Sequence, residues 1–265
     1  MEIRTSANHR EGIENSMNIT YHKWHSPNLN RDMELKVYGH GGKPFVVFPS
    51  SAGRFFDYEN NGMVDACASF VRKGKLTLIT VDSIDSESWL YHAAHPWDRA
   101  AKHDDYEDYI LKEVMPFVQN LRPEFAKAGT TGCSMGAFHA ANFLFRHPRY
   151  FDTVIALSGL YGPRYVLGDY MDDRVYFYFP LCYLPNMNDP AILSLYRNSD
   201  IILCVGQGPW ERCDQYDCID ETRAMKNILD AKKIPVWADF WGYDVNHDWI
   251  WWRKQMPYFL KHLQL

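Results

Sequence analysis

Gly132-Cys133-Ser134-Met135-Gly136 stands between an apolar run, Lys127 to Cys133, and an amphipathic one, Met135 to Phe145, that ends near Pro148. The first run predicts a buried strand and the second a helix. Gly-x-Ser-x-Gly at a strand-to-helix junction is the pattern of a nucleophile elbow. Its residue types follow from its geometry. The serine occupies a sharp, strained turn with its hydroxyl above the sheet, and the flanking glycines allow close approach of backbone. The helix N-terminus behind it offers free N–H groups and a favourable dipole to a developing oxyanion, so the Met135 N–H is the first candidate oxyanion donor. Cys133 is expected to be buried behind the turn as a packing residue.

Outward from this junction, strand-like and helix-like segments alternate. Strands are expected at Ile19 to His25, Met33 to Tyr38, Pro44 to Phe48, Leu76 to Val81, Thr153 to Leu157, Ile201 to Val205 and Pro235 to Trp241. Helices are expected at Met63 to Arg72, Asp105 to Leu121, Ile219 to Lys232 and Asp248 to Leu263. Alternation of this kind implies βαβ crossovers, hence an α/β class with a central, mostly parallel sheet flanked by helices. With 265 residues and no internal repeat, one domain over 19–265 is expected, preceded by a flexible lead-in at 1–18. The irregular stretch 159–199 is too long for an ordinary connection and predicts a cap or lid.

Composition excludes several classes. Charged residues make up 23% and the formal net charge is −5, which argues against a nucleic-acid binder. No apolar run approaches the ~18 residues of a membrane helix, and Met1 to Ser16 lacks the apolar core of a secretory signal. A cytoplasmic enzyme with reduced thiols is therefore expected. Six cysteines are present, none in a Cys-x-x-Cys pair. His92 and His95, with His103, Asp104 and Asp105 nearby, do not have the spacing of a zinc hydrolase, and no metal or cofactor is expected. Asp82, Asp85 and Glu87 read as a solvated acidic loop.

A serine nucleophile needs a base, and in this architecture the chain order is serine, acid, histidine. His247 lies in Gly242-Tyr243-Asp244-Val245-Asn246-His247-Asp248, between a predicted strand and the last helix, where the base belongs. His262 falls inside that helix. His139, five residues past Ser134, is turned away from the nucleophile by helical geometry. The acid should follow Ile201 to Val205, and Glu211, Asp214, Asp217 and Asp220 all satisfy the order. The second oxyanion donor should lie in Phe48-Pro49-Ser50-Ser51-Ala52-Gly53-Arg54. Aromatics reach 15% of residues. Trp210 and Trp249 flank the proposed acid and base as expected substrate-site walls, and Tyr178, within Tyr176-Phe177-Tyr178-Phe179-Pro180, is a candidate pocket residue.

Over residues 20–264 the chain resembles the esterase D group of the α/β-hydrolase superfamily, which is similar in fold to the secreted mycolyltransferase antigens. The markers are the elbow Gly132–Gly136, Arg146-His147-Pro148 leading to Ser158-Gly159-Leu160-Tyr161, Tyr106-Glu107-Asp108-Tyr109-Ile110 running to Pro116, and the ending His247-Asp248-Trp249-Ile250-Trp251-Trp252. The resemblance implies an α/β-hydrolase acting on carboxylic acyl esters through a serine triad and an acyl-enzyme, without a cofactor. Mycolyltransferases carry a glutamate a few residues after a Gly-x-Gly turn, which Gly206-Gln207-Gly208 and Glu211 match, so the resemblance favours Glu211 as the acid. It puts the second oxyanion position on Ser51, with Ser50 as the neighbouring alternative. The expected partner is a small-molecule ester, with no nucleic acid or membrane, in a chain open to homo-oligomerisation. Acyl transfer to a sugar or alcohol, and a non-catalytic binding protein on the same fold, are the alternatives.

Overall fold

The structure, a computed structural model, describes residues 17–265, so the lead-in predicted at 1–18 lies almost wholly outside the described residues. Eight strands form one sheet. In chain order they are β1 (Ile19–Ser26), β2 (Arg31–Tyr38), β3 (Lys43–Phe48), β4 (Leu76–Val81), β5 (Ala128–Cys133), β6 (Phe151–Leu157), β7 (Asp200–Val205) and, after a two-residue hairpin β8 (Arg212–Cys213) and β9 (Tyr216–Asp217), β10 (Trp237–Phe240). The spatial order is β1-β2-β4-β3-β5-β6-β7-β10. The β1–β2 and β2–β4 pairings are antiparallel, so β2 alone runs against the rest of this sheet, and β3 to β7 with β10 form the predicted parallel body.

β4 and β5 are buried along their whole length, and β3 beyond Lys43, because helices cover both faces. One core cluster packs Phe48, Ile79 and Val154 against Phe143 and Tyr109. The opposite face packs Val47, Leu78 and Ile155 against Trp252, Met256 and Phe259 of the helix Trp249–Leu260. All strands of the parallel body point their carboxyl ends to one edge. The turns at that edge carry Ser134, Ser158, Glu211 and His247, which is why residues up to 113 positions apart in sequence share one site.

Two expected helices differ in detail. Met63 to Arg72 is two short helices, Met63–Ala66 and Ala68–Arg72, joined at Cys67. The helix expected from Asp105 begins earlier, at Pro96, where His95 caps it by accepting the Trp97 N–H at Nδ1. It passes through a π-helical segment, Ile110–Val114, before continuing as Met115–Leu121. Glu113, in the π segment, accepts from Trp24 Nε1 at 2.7 Å, Ser26 Oγ at 2.7 Å and Asn28 Nδ2 at 2.6 Å, and so ties the β1–β2 turn to the body.

The stretch 159–199 is not irregular. It holds four short helices, Arg164–Leu167, Asp173–Tyr176, Pro180–Tyr183 and Pro190–Arg197. It packs firmly on the body: Arg99 donates to the Val166 carbonyl at 2.6 Å, and Trp89 and Phe138 stack against Phe179.

Candidate active site

Ser134 has φ 57° and ψ −120°, a left-handed strain that a serine adopts only when its surroundings dictate it. They do so through the two glycines. A Cβ on Gly132 would lie 2.4 Å from the Gly136 carbonyl, and one on Gly136 would lie 2.4 Å from the Phe48 carbonyl and 2.6 Å from that of Pro49. The turn is thus clamped between the start of its own helix and the loop after β3. The Ser134 N–H continues the sheet ladder to the Leu157 carbonyl at 2.9 Å. Met135 follows as the first residue of the helix Met135–Arg146. Cys133 is buried behind the turn, and burial pushes its thiol well above the usual range.

The contact at Gly136 places the loop Pro49–Gly53 beside the elbow. In that loop Ser50 is already engaged: its N–H and its hydroxyl both donate to Asp57 Oδ2, at 3.0 and 2.8 Å. Ser51, exposed, comes next in a tight turn closed by the Gly53 N–H on the Ser50 carbonyl. Of the two, Ser51 keeps its amide clear of this interaction.

Glu211 and His247 are brought together. Glu211 is fully buried, and its Oε2 lies 3.0 Å from His247 Nδ1. Its Oε1 accepts from the Ser158 hydroxyl at 2.8 Å and the Gly206 N–H at 3.1 Å. Trp252 Nε1 in turn donates to Ser158 Oγ at 3.0 Å, and the Trp252 ring meets His247 edge-on at 5.0 Å. A buried carboxylate is stable only when its oxygens are satisfied, and here every one of them is. The loops carrying acid and histidine interlock as well, since a Cβ on Gly206 would lie 2.2 Å from the Val245 carbonyl. Asp214 and Asp220 take no part in this network, and Asp217 caps the helix Cys218–Ala231. Among the described residues no hydrogen bond joins Ser134 to His247. That contact commonly tightens only when substrate binds.

Ser158 and Cys218 were not singled out by sequence reasoning. Ser158 belongs to the motif Ser158-Gly159-Leu160-Tyr161, and its φ of 54° at the end of β6 repeats the strain of Ser134 one strand over. Cys218 Sγ lies 3.8 Å from His247 Nδ1, and burial pushes its thiol well above the usual range. Nothing in the spacing of the cysteines pointed to it.

Two expectations about the surroundings change. Tyr178 does not line an open cleft: it is buried, its hydroxyl donates to Asp104, and Arg146 stacks on its ring at 4.2 Å. It packs the 159–199 stretch onto the body. Asp82 and Asp85 are not solvated. Asp82 accepts from Arg54 Nε at 2.6 Å, and Asp85 Oδ1 lies 2.9 Å from His139 Nε2. His139 itself is fully buried. Trp210 is exposed at the acid loop and Trp249 half-buried against Trp252, both at the edge of the site. Beside Met135 a narrow recess of about 10 Å³ is walled by Phe138, Leu160, Tyr165, Val166 and Phe179.

The sheet order, the strained serine turn and the positions of acid and histidine at the carboxyl edge define an α/β-hydrolase fold. The chain belongs to the esterase family described as "Putative esterase", whose model matches residues 26–263. No curated protein sequence matches it. Among solved structures it is similar to a ferulic acid esterase at 18% identity, with TM-score 0.70 over 93% of this chain and 97% of that one. It is also similar to the S-formylglutathione hydrolase of Staphylococcus aureus (16% identity, TM-score 0.68, 94% and 96% covered). MPT51 of Mycobacterium tuberculosis follows at 13% identity and TM-score 0.67, with 92% and 97% covered. The chain is thus a carboxylic ester hydrolase by family. Among the described residues no helix is long and apolar enough to cross a membrane.

Proposed function

We propose that the chain cleaves small carboxylic esters through a Ser134–His247–Glu211 triad and a covalent acyl-enzyme. The observation that carries this reading is the Glu211–His247 pair, a fully buried and fully hydrogen-bonded carboxylate 3.0 Å from Nδ1 of a histidine whose side chain is still 17% exposed. Such a carboxylate holds the proton on Nδ1 and leaves Nε2 free as the base.

In this mechanism Ser134 Oγ attacks the ester carbonyl while His247 Nε2 takes the hydroxyl proton. The tetrahedral oxyanion is held by the Met135 and Ser51 N–H groups, the first reinforced by the helix dipole. The proton passes from His247 to the leaving alcohol as the C–O bond breaks. Water, activated by the same imidazole, then releases the acid and regenerates Ser134. Glu211 stabilises the imidazolium in both halves.

The test is hydrolysis of p-nitrophenyl esters from acetate to octanoate, with labelling by a fluorophosphonate. The wild type should turn over esters of the series and take the label, and Ser134→Ala should lose both. A wild-type protein that neither turns over any ester nor takes the label would overturn the triad.

A further inference from the structure

Cys218 opens the helix Cys218–Ala231 with a fully buried side chain directed at the acid–histidine pair. No step of the ester chemistry uses it. Yet Cys218 Sγ, His247 Nδ1 and Glu211 Oε2 converge, with one ligating atom from each residue within 4.8 Å of the others. Among the described residues no other set of three histidine, cysteine or carboxylate groups does so.

The separations suit a metal ion. Around a tetrahedral zinc, with bonds of about 2.0 Å to N or O and 2.3 Å to S, nitrogen and oxygen sit roughly 3.3 Å apart and nitrogen and sulfur roughly 3.6 Å. The structure has 3.0 Å for Nδ1 to Oε2 and 3.8 Å for Nδ1 to Sγ. Both separations from His247 are within a few tenths of an ångström of the requirement, and the Cys218 and Glu211 ligand atoms lie within 4.8 Å of each other. Thiolate, imidazole and carboxylate together select a borderline-soft divalent ion rather than magnesium or calcium.

We propose that Glu211, Cys218 and His247 form an inhibitory binding site for zinc or cadmium, with water as the fourth ligand. Binding exchanges protons for metal in a balanced way. The Cys218 thiol gives its proton to solvent and forms the S–metal bond. The proton on His247 Nδ1 gives way to an N–metal bond and reappears on Nε2, so the imidazole stays neutral. The carboxylate keeps its charge. A buried group of charge −1 becomes a neutral metal site, which the low-dielectric surroundings favour.

The consequence for chemistry is specific. With Nδ1 on the metal and the proton on Nε2, His247 cannot accept a proton from Ser134. The ion therefore stops turnover without occupying the serine. This effect on activity rests on the proposed role of His247, whereas the binding itself does not.

The test uses the full chain carrying Cys213→Ser, which removes the exposed thiol, with and without Cys218→Ala. Two readouts are taken: the ultraviolet charge-transfer band of cadmium bound to thiolate, and zinc inhibition of p-nitrophenyl acetate hydrolysis with reversal by EDTA. In the parent, one equivalent of cadmium should develop the band, and zinc should inhibit reversibly. In Cys218→Ala the band should vanish, metal-free turnover should persist, and inhibition should weaken by at least about tenfold. Should the alanine variant fail to fold, Cys218→Ser, which keeps the volume and cannot give a thiolate band, takes its place. Equal bands with and without Cys218 would overturn the site. A Cys218-dependent band without inhibition would leave the site standing and overturn the role of His247. Inhibition unchanged by loss of Cys218 would show that the metal acts elsewhere.

Discussion

Among the described residues two fully buried carboxylates, Glu211 and Asp85, pair with an imidazole, and by distance the two pairs are hard to tell apart. Glu211 Oε2 is 3.0 Å from His247, and Asp85 Oδ1 is 2.9 Å from His139. They differ in everything around them. The Glu211 carboxylate is completed by Ser158 and the Gly206 N–H, and its histidine reaches solvent at the carboxyl edge of the sheet. The Asp85 pair is sealed: His139 is packed by Phe48, Phe138, Tyr106 and a stacked His103 at 5.3 Å. Asp85 Oδ2, His139 Nδ1 and both nitrogens of His103 lack hydrogen-bond partners among the described residues. Burial, with His139 beside it, pushes the His103 pKa well below the usual histidine range, so that ring is neutral. An acid–histidine pair is therefore not a catalytic signature by itself. What distinguishes one is an outer nitrogen facing an accessible nucleophile, and an inner carboxylate whose other lone pairs are already occupied.

The largest expected effect separates the two histidines. His247→Ala should lower kcat by about 10⁴- to 10⁶-fold, as loss of the base does in serine hydrolases, with little change in Tm. His139→Ala should keep kcat within about tenfold but destabilise the fold by about 3–5 kcal/mol, because Asp85 is left buried and unpaired. Paired kinetics and thermal melts read both quantities. A folded His139→Ala protein without activity would erase the distinction. Next comes Glu211→Gln. It preserves shape but no longer fixes the Nδ1 tautomer, so kcat should fall by roughly 10⁴-fold. Asp85→Asn should leave kcat near its starting value.

The brace behind Glu211 ranks below these. The Ser158 hydroxyl hydrogen-bonds a buried carboxylate, an interaction of about 1.5–3 kcal/mol. If the imidazolium of the transition state depends on it, Ser158→Ala should lower kcat by about 10- to 100-fold with KM unchanged. Trp252→Phe removes the donor to Ser158 and trims the ring that packs His247, and should have a smaller effect in the same direction. A rise in KM at constant kcat would instead assign Ser158 to substrate binding.

How much of this was legible in the sequence depends on whether local chemistry or tertiary contact set each feature. The elbow was legible because only glycine tolerates the approach of Gly132 to Gly136 and of Gly136 to Phe48. The parallel body was legible because doubly covered strands read as apolar runs. His247 followed from chain order. Glu211 did not, since four acids satisfied that order and only the resemblance separated them. The Ser158 brace was present in a quoted motif, but its role depends on a contact with Trp252 across 94 positions. Asp85 read as solvated because periodicity says nothing about a loop that another element later covers. The helices of 159–199 were missed because three of the four are single turns of four residues, too short to show a period.

The smallest expected effect is also the sharpest test of the comparison. A buried carboxylate–imidazole pair with unsatisfied atoms is commonly no better for stability than apolar side chains of similar volume, because the cost of desolvating its polar groups offsets their attraction. The Asp85–His139 pair has two such atoms, whereas the Glu211 carboxylate has none. The double variant Asp85→Val/His139→Leu should therefore melt at the same temperature or a few degrees higher, with kcat/KM within a few-fold of wild type. Each single variant should melt lower, since each strands one polar partner, and the non-additivity is the signature of a pair that matters only to itself. A double variant that folds but loses activity would mean that the sealed pair communicates with Ser134 along the helix Met135–Arg146, which carries both Met135, the proposed oxyanion donor, and His139.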